Sequence, residues 1–366
     1  MTNRAKRGWG AVWLAAVVGF AALHAVHLDA DFPNHSPWLA DWAKYTDEGW
    51  YGNAAMRAHL FGNWYMAGDF NPAVAMPVWP FLEWVLFFFT GVSLAAARGL
   101  AIAAFIGNLL LGYLLLRAKG PRWVALLALT LMATSPFLYC FSRLAILEPL
   151  LTTWTLAALN LAVRLPRLRR PVWGAAGAGL VFALAMLTKP TAVFSLPALG
   201  WAVAAPLWRT RRLALKCAAA AGGAAAAGYG LWIGLVAGCG LLRDYEYTFF
   251  VNTYPRPKGM VWPLVSLWWS FHGGLWVDKV LAPLAGIMVL GAAIFWRAGW
   301  ARRLLANPVF GASALSAAGT ILFMTYQNHP QPRYFAYLAP FCFFLVAMGI
   351  EALVSGAAES GAAGGS

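Results

Sequence analysis

Ten apolar stretches, most of them near twenty residues long, alternate along this chain with short clusters of Lys and Arg. They lie near residues 9–28, 95–116, 123–141, 149–163, 172–188, 191–208, 213–236, 279–296, 309–326 and 334–354. A helix needs roughly 20 apolar residues to cross the hydrocarbon of a bilayer. Inside that hydrocarbon the backbone must satisfy its own hydrogen bonds, which leaves helices or closed barrels. Runs of this length predict an all-α polytopic membrane protein of about ten transmembrane helices. Only 11% of the residues are charged and 61% are hydrophobic. A soluble domain carries about 25% charged residues, so lipid must solvate much of this surface.

The net charge is +14. In a soluble protein that excess would suggest nucleic acid, but here the cations are confined to loops between apolar runs, the pattern of cytoplasmic membrane loops. We expect no nucleic-acid partner. The clusters are Arg4, Lys6, Arg7; Arg117, Lys119, Arg122; Arg164, Arg167, Arg169, Arg170; Arg209, Arg211, Arg212, Lys216; and Arg297, Arg302, Arg303. They fall on one side only if the short apolar segment Pro77–Thr90 does not span. Every acid except Glu351 and Glu359 then lies on the opposite, outer side. We therefore expect Pro77–Thr90 in the outer interface. The first run reads as an uncleaved helix, because it approaches full spanning length and further spans follow.

This topology predicts one transmembrane domain, 1–354, with outer loops at 29–94 and 237–278 and a flexible Gly/Ala/Ser tail at 355–366. All six histidines are expected at or beyond the outer boundary. Asp47 to Ala67 reads as an amphipathic interfacial helix, with Trp50, Tyr51, Trp64 and Tyr65 at headgroup height. Gly and Ala dense in 174–179 and 218–230 read as close-packing helix faces. The four cysteines, Cys140, Cys217, Cys239 and Cys342, have no metal-type spacing and read as small buried residues.

Four constellations on the expected outer side can carry chemistry. Asp47 and Glu48 follow the first span; a carboxylate there can act as a general base toward a hydroxyl, or Thr46 or Asp47 can simply cap a helix. Arg143 and Glu148 interrupt an apolar region after the third span, where ionisable groups are costly and point to function; the structural alternative is an Arg143–Glu148 pair pinning a hairpin. Lys189 follows the fifth span, and Arg333-Tyr334 precedes the last. With Arg98 these make four outer cations at helix ends, suited to an anionic lipid phosphate or to snorkelling. Trp50, Tyr51, His272 and Tyr334 are candidate substrate contacts on the same face.

Taken in order, Asp47-Glu48, Arg143 to Glu148, Leu187-Thr188-Lys189 and Arg333-Tyr334 resemble the membrane glycosyltransferases of the GT-C fold, in particular the protein O-mannosyltransferase and aminoarabinose transferase group. The resemblance runs from about residue 40 to 205 and again from 327 to 345. It implies a polyprenyl-phosphate-linked sugar donor, a lipid, glycan or protein acceptor, and inverting transfer on the outer face of the plasma (inner) membrane. Asp47 matches the first-loop acid that deprotonates the acceptor. Glu148 matches the second acid, and Arg143, Lys189 and Arg333 would hold the leaving phosphate. Two cations frequent in such relatives are replaced here, by Trp50 and Met76, which bears on the donor. A divalent metal is possible, with His272 or His329 among its ligands, although no ligand spacing is present. The alternative is a transporter or flippase of lipid-linked sugars, which would place its ionisable residues at mid-membrane between internal repeats.

Overall fold

The computed structural model describes residues 3–30, 47–66, 72–248, 259–270, 276–326 and 331–363, and among these every regular element is a helix. In chain order they are α1 (Asn3–Leu23), α2 (Glu48–Phe61), α3 (Val78–Thr90), α4 (Leu94–Arg117), α5 (Arg122–Thr134), α6 (Pro136–Ser142), α7 (Leu147–Val163) and α8 (Pro171–Thr188). There follow α9 (Leu196–Ala204), α10 (Arg211–Gly238), α11 (Leu242–Glu246), α12 (Val261–Ser270), α13 (Trp276–Ile294), α14 (Gly299–Ala306), α15 (Pro308–Tyr326) and α16 (Ala339–Ala363). Among the described residues, six helical segments are long and apolar enough to cross a membrane, or eight if each of two bent helix pairs counts as one span. The shorter apolar helices α1 and α7 fall where the remaining two of the ten expected spans lie. This is an integral membrane protein.

The first bent pair is α5–α6, at 66°. Its cause is local: Pro136 disfavours the α conformation at the residue before it, and Ser135 is extended there with its hydroxyl accepting from Leu138 N–H at 3.0 Å. Asp278 of α13 also accepts from Phe137 N–H at 3.2 Å, so a distant carboxylate holds the kink. The pair α13–α14 turns by 110°, which the sequence reading did not anticipate.

The contested segment forms α3, 13 residues long. At 1.5 Å per residue this is about 20 Å, well short of a bilayer's hydrocarbon. Its face of Trp79, Glu83 and Phe87 is buried, while Phe81, Phe88 and Phe89 are exposed. The preceding α2 stops earlier than expected, at Phe61, because Gly62 takes φ 73° and returns its N–H to Ala58 O. That left-handed stop favours glycine. The buried face of α2 is Tyr51, Gly52, Ala54 and Ala55, so small residues let α3 lie against it.

The two Gly/Ala stretches do pack together, in α8 and α10. A Cβ added to Gly179 would stand 2.1 Å from the Ala221 carbonyl oxygen, so only glycine permits this approach. Where a flexible tail was expected, α16 continues through Ser355 to Ala363. Cys217 and Cys342 are buried, but Cys239 is exposed at the end of α10, where the apolar run stops, contrary to the expectation of burial.

Helix direction separates two kinds of charge. Arg98, Glu148 and Lys189 sit near the start of α4, in the first turn of α7 and at the C-cap of α8. Arg117, Arg164 and Arg170 mark the opposite ends of the same three helices. The candidate chemistry is therefore gathered at the end of the bundle remote from the cation clusters.

Candidate active site

Asp47 immediately precedes α2 but does not cap it. Its backbone is already helical, at φ −70°, and its side chain accepts no cap hydrogen bond. The carboxylate instead meets Arg333, Oδ2 to Nη2 at 2.6 Å, with both side chains largely buried. Arg333 belongs to the 3₁₀ turn Pro332–Ala336 leading into α16. The capping alternative is thus set aside by the geometry.

Glu148, in the first turn of α7, is buried and ion-paired with the Lys189 ammonium. Lys189 stands where it does because Pro190 follows: the residue before a proline is driven to extended backbone, here φ −153° and ψ 116°, which ends α8. The two pairs share one aromatic ring. Lys189 Nζ lies 4.2 Å from the Tyr334 centroid, and the Arg333 guanidinium carbon lies 4.9 Å from it. Cations over an aromatic face are held by its quadrupole. Tyr51 is buried among the same groups. Burial, then the charge of Asp47, push its phenol well above the ordinary range, with Glu148 adding to the shift and Arg333 opposing it. Asp47, Arg333, Tyr51, Tyr334, Glu148 and Lys189 therefore form one cluster.

Glu48 does different work. Its two oxygens accept from Arg98 Nε and Nη2, both at 2.8 Å, and Oε1 also accepts from Ala145 N–H at 2.8 Å. Arg98 further donates to the carbonyls of Leu28 (2.8 Å) and Ala30 (2.6 Å). The Glu48–Arg98 pair thus ties α2, α4, the chain after α1 and the turn before α7, and both members are occupied in doing so.

Arg143 is not brought to Glu148, and the expected hairpin pair does not form. Its guanidinium donates to the Tyr139 hydroxyl and to the Val26 and His27 carbonyls, and it lies 4.7 Å from the Tyr139 centroid. The 142–146 turn faces the chain just after α1, where the Val26 and His27 carbonyls accept from the guanidinium. His24 is buried inside the bundle, with Nδ1 2.7 Å from Ser142 Oγ. Trp50 is half-buried, its ring 5.3 Å from that of Tyr51. Thr46, His272 and His329 lie outside the described residues. Among the described residues, no three His, Cys, Asp or Glu side chains converge to hold a metal ion.

Sequence reasoning missed two features. Glu83 is fully buried on α3, and a Cβ on Gly52 would come within 2.6 Å of its Oε2. Burial, and secondarily the Glu48 charge, push its acid up to about 8. The signal was available, since Glu83 is the one acid in the apolar segment 77–90. Tyr337, whose hydroxyl lies 2.8 Å from Ser195 Oγ and 3.3 Å from Thr155 Oγ1, gave no signal, because hydroxyls in apolar runs are ordinary.

Comparison with known proteins follows this geometry. The solved structure of ArnT from Cupriavidus metallidurans bound to undecaprenyl phosphate superposes with TM-score 0.66 at 15% identity, over 94% of this chain and 60% of that one. The archaeal oligosaccharyltransferase AglB from Archaeoglobus fulgidus, in complex with an inhibitory peptide and a dolichol-phosphate, superposes with TM-score 0.55 at 15% identity, over 93% of this chain and 50% of that one. The fold is that of the GT-C membrane glycosyltransferases. Residues 72–228 of this GT-C chain match the dolichyl-phosphate-mannose-protein mannosyltransferase family, which is less than half of its length. No curated protein sequence matches it. The chain spans about 60% of the length of ArnT and half that of AglB. The matched family region carries Arg98, Arg143, Glu148 and Lys189; Asp47, Tyr51, Arg333 and Tyr334 join it only through the fold.

Proposed function

We propose that this GT-C protein transfers a sugar from a polyprenyl-phosphate-linked donor to an acceptor hydroxyl, with inversion, at the outer face of the plasma (inner) membrane. The observation that carries the reading is the convergence of two carboxylate–cation pairs, Asp47–Arg333 and Glu148–Lys189, on the Tyr334 ring at one end of the bundle.

The chemistry follows from the leaving group. A phosphate leaving group requires stabilisation of its charge more than protonation, so two cations can serve where a glycosidase needs an acid. A donor phosphate placed against Arg333 and Lys189 competes with their carboxylate partners. As Arg333 turns to the phosphate, Asp47 becomes available to an acceptor hydroxyl. The acceptor oxygen then bonds to the anomeric carbon as the carbon–phosphate oxygen bond breaks. The electron pair leaves with the phosphate, the hydroxyl proton goes to Asp47, and attack opposite the leaving group inverts the centre. Glu148 stays beside Lys189.

The bound lipids of the similar structures support a polyprenyl phosphate, undecaprenyl phosphate in ArnT and dolichol-phosphate in AglB. An apolar cavity of about 390 Å³ between α12, α13, α15 and α16 suits part of a prenyl chain. It adjoins the site through Leu338, which follows the Arg333 turn. The acceptor is a lipid, a glycan or a protein; the family match favours protein.

The test is a mass analysis of lipid extracted with the purified protein, combined with transfer from polyprenyl-phosphate mannose in detergent. A polyprenyl phosphate in the extract is the expected result; its absence, with no transfer, would end this reading. The outer placement has its own check. Native Cys239 is exposed at the far end of α10 from Arg211. It should react with an impermeant thiol reagent from outside, and Lys119→Cys only from inside. Labelling of both from one side would invert or break the topology.

A further inference from the structure

Beneath the Glu148–Lys189 pair lies a chamber of about 20 Å³, bordered on its polar sides by Glu148, Lys189, Thr191, Ser195, Thr320 and Tyr337. A water-sized group needs about 10–15 Å³, so the space admits a single hydroxyl and little more. Four polar helix ends and faces meet here, from α7, the Pro190–Ser195 turn, α15 and the start of α16. Two of these groups retain hydrogen-bonding capacity. Glu148 Oε1 is engaged by Lys189, but Oε2 is buried and meets no donor, in a side chain only 1% exposed. Ser195 accepts from Tyr337, which leaves its own proton to donate. A buried carboxylate oxygen without a donor is costly, and the chamber is where a donor can reach it.

We propose that this chamber is the subsite for one hydroxyl of the donor's sugar, which donates to Glu148 Oε2 and accepts from Ser195, with Thr320 beside it. The inference rests on the donor reading above and adds where in the site the sugar is held. A hydroxyl fits because it both gives and takes a proton. A carboxylate or phosphate would meet the Glu148 charge, and a methyl group would leave Oε2 without a donor. In this arrangement the Lys189 ammonium meets the donor phosphate while its partner Glu148 meets the sugar hydroxyl. Glu148 then discriminates sugars while Lys189 recognises any phosphate.

The experiment measures affinity for two ligands in detergent: sugarless polyprenyl phosphate, and whichever of polyprenyl-phosphate mannose or polyprenyl-phosphate glucose the wild type binds more tightly. Ser195→Ala should weaken the sugar-bearing ligand about tenfold, as loss of roughly one buried hydrogen bond does, and Thr320→Ile, which fills the chamber, should weaken it at least as much; both should leave the sugarless lipid unchanged. Thr320→Ser, whose hydroxyl can still donate to the Ser316 carbonyl and which leaves the chamber open, should keep the sugar preference. Lys189→Ala should weaken both ligands together. The chamber proposal is overturned if the hydroxyl-removing variants affect both ligands equally or neither, or if the wild type does not prefer a sugar-bearing lipid; a chamber that holds only water gives the same result. Failure of the wild type to bind sugarless polyprenyl phosphate at all would instead strike the donor reading itself.

Discussion

Asp47 and Arg333 lie 2.6 Å apart, although one precedes α2 and the other precedes α16. The contact brings the first and last parts of the chain together beside the ring of Tyr334, which Lys189 also approaches. A general base and a phosphate-binding cation thus hold one another before substrate arrives. Each must be released for the other to act, and this coupling makes the roles separable by substitution.

Asp47→Asn keeps the side chain's shape and removes its ability to take a proton. Turnover should fall by about 10²–10⁴-fold, the usual contribution of general-base catalysis. Affinity for polyprenyl phosphate should hold or improve, because Arg333 loses its anionic competitor. Transfer rates and lipid binding measured side by side decide it. A fall in both together would make Asp47 a structural residue.

Lys189→Ala leaves Glu148 buried without its partner, and removing one member of a buried pair typically costs 3–5 kcal/mol. The double variant Glu148→Leu with Lys189→Met should recover thermal stability in detergent while remaining inactive. If the single and double variants unfold at the same temperature, the pair does not carry the coupling that the geometry assigns.

Glu48 is next to Asp47 in sequence yet should behave differently. Glu48→Gln loses a charge-assisted, two-pronged contact to Arg98, of the kind worth about 1.5–3 kcal/mol, and should lower the unfolding temperature. Lipid affinity per folded molecule should change little, since the oxygens of Glu48 are taken up by Arg98 and the Ala145 N–H. An unfolding temperature equal to wild type would contradict this assignment.

Glu83 predicts a pH dependence. Its acid stands at about 8 in the folded protein against an ordinary value of 4.5. The folded state therefore holds a proton that the unfolded state gives up, and stability should decline as pH rises from about 4.5 to about 8. Glu83→Gln should remove that part of the slope. Unfolding temperatures of wild type and variant across this range check it; parallel curves would exclude Glu83 as the source.

Much of the site could be read from the residues because ionisable groups are rare in a chain 11% charged. Glu148 and Lys189 stood out as breaks in apolar runs, Asp47 and Arg333 as charges beside the ends of spans, and the ten apolar stretches stood out too, since these signals arise from the cost of polarity in hydrocarbon. Pro77–Thr90 was recognisable as too short to span for the same reason.

Pairing was not recoverable from sequence. Five cations and four acids, Arg98, Arg143, Lys189, Arg333 and Lys279 with Asp47, Glu48, Glu148 and Asp278, are spread over helix ends and turns far apart in the chain, which sequence order cannot bring to defined distances. Local chemistry alone suggested Arg143 for Glu148, five residues away. The fold instead turned Arg143 to the carbonyls at the end of α1 and gave Glu148 the ammonium that Pro190 had already positioned at the end of α8. The sequence by itself determined a helical membrane protein with nearly all its acids and its candidate-site cations at one end and its Lys/Arg clusters at the other, because hydropathy and charge are properties of composition and order. Only the tertiary structure decided which carboxylate meets which cation, because that depends on where helix ends converge once the small-residue faces of α8 and α10 and of α2 have closed together.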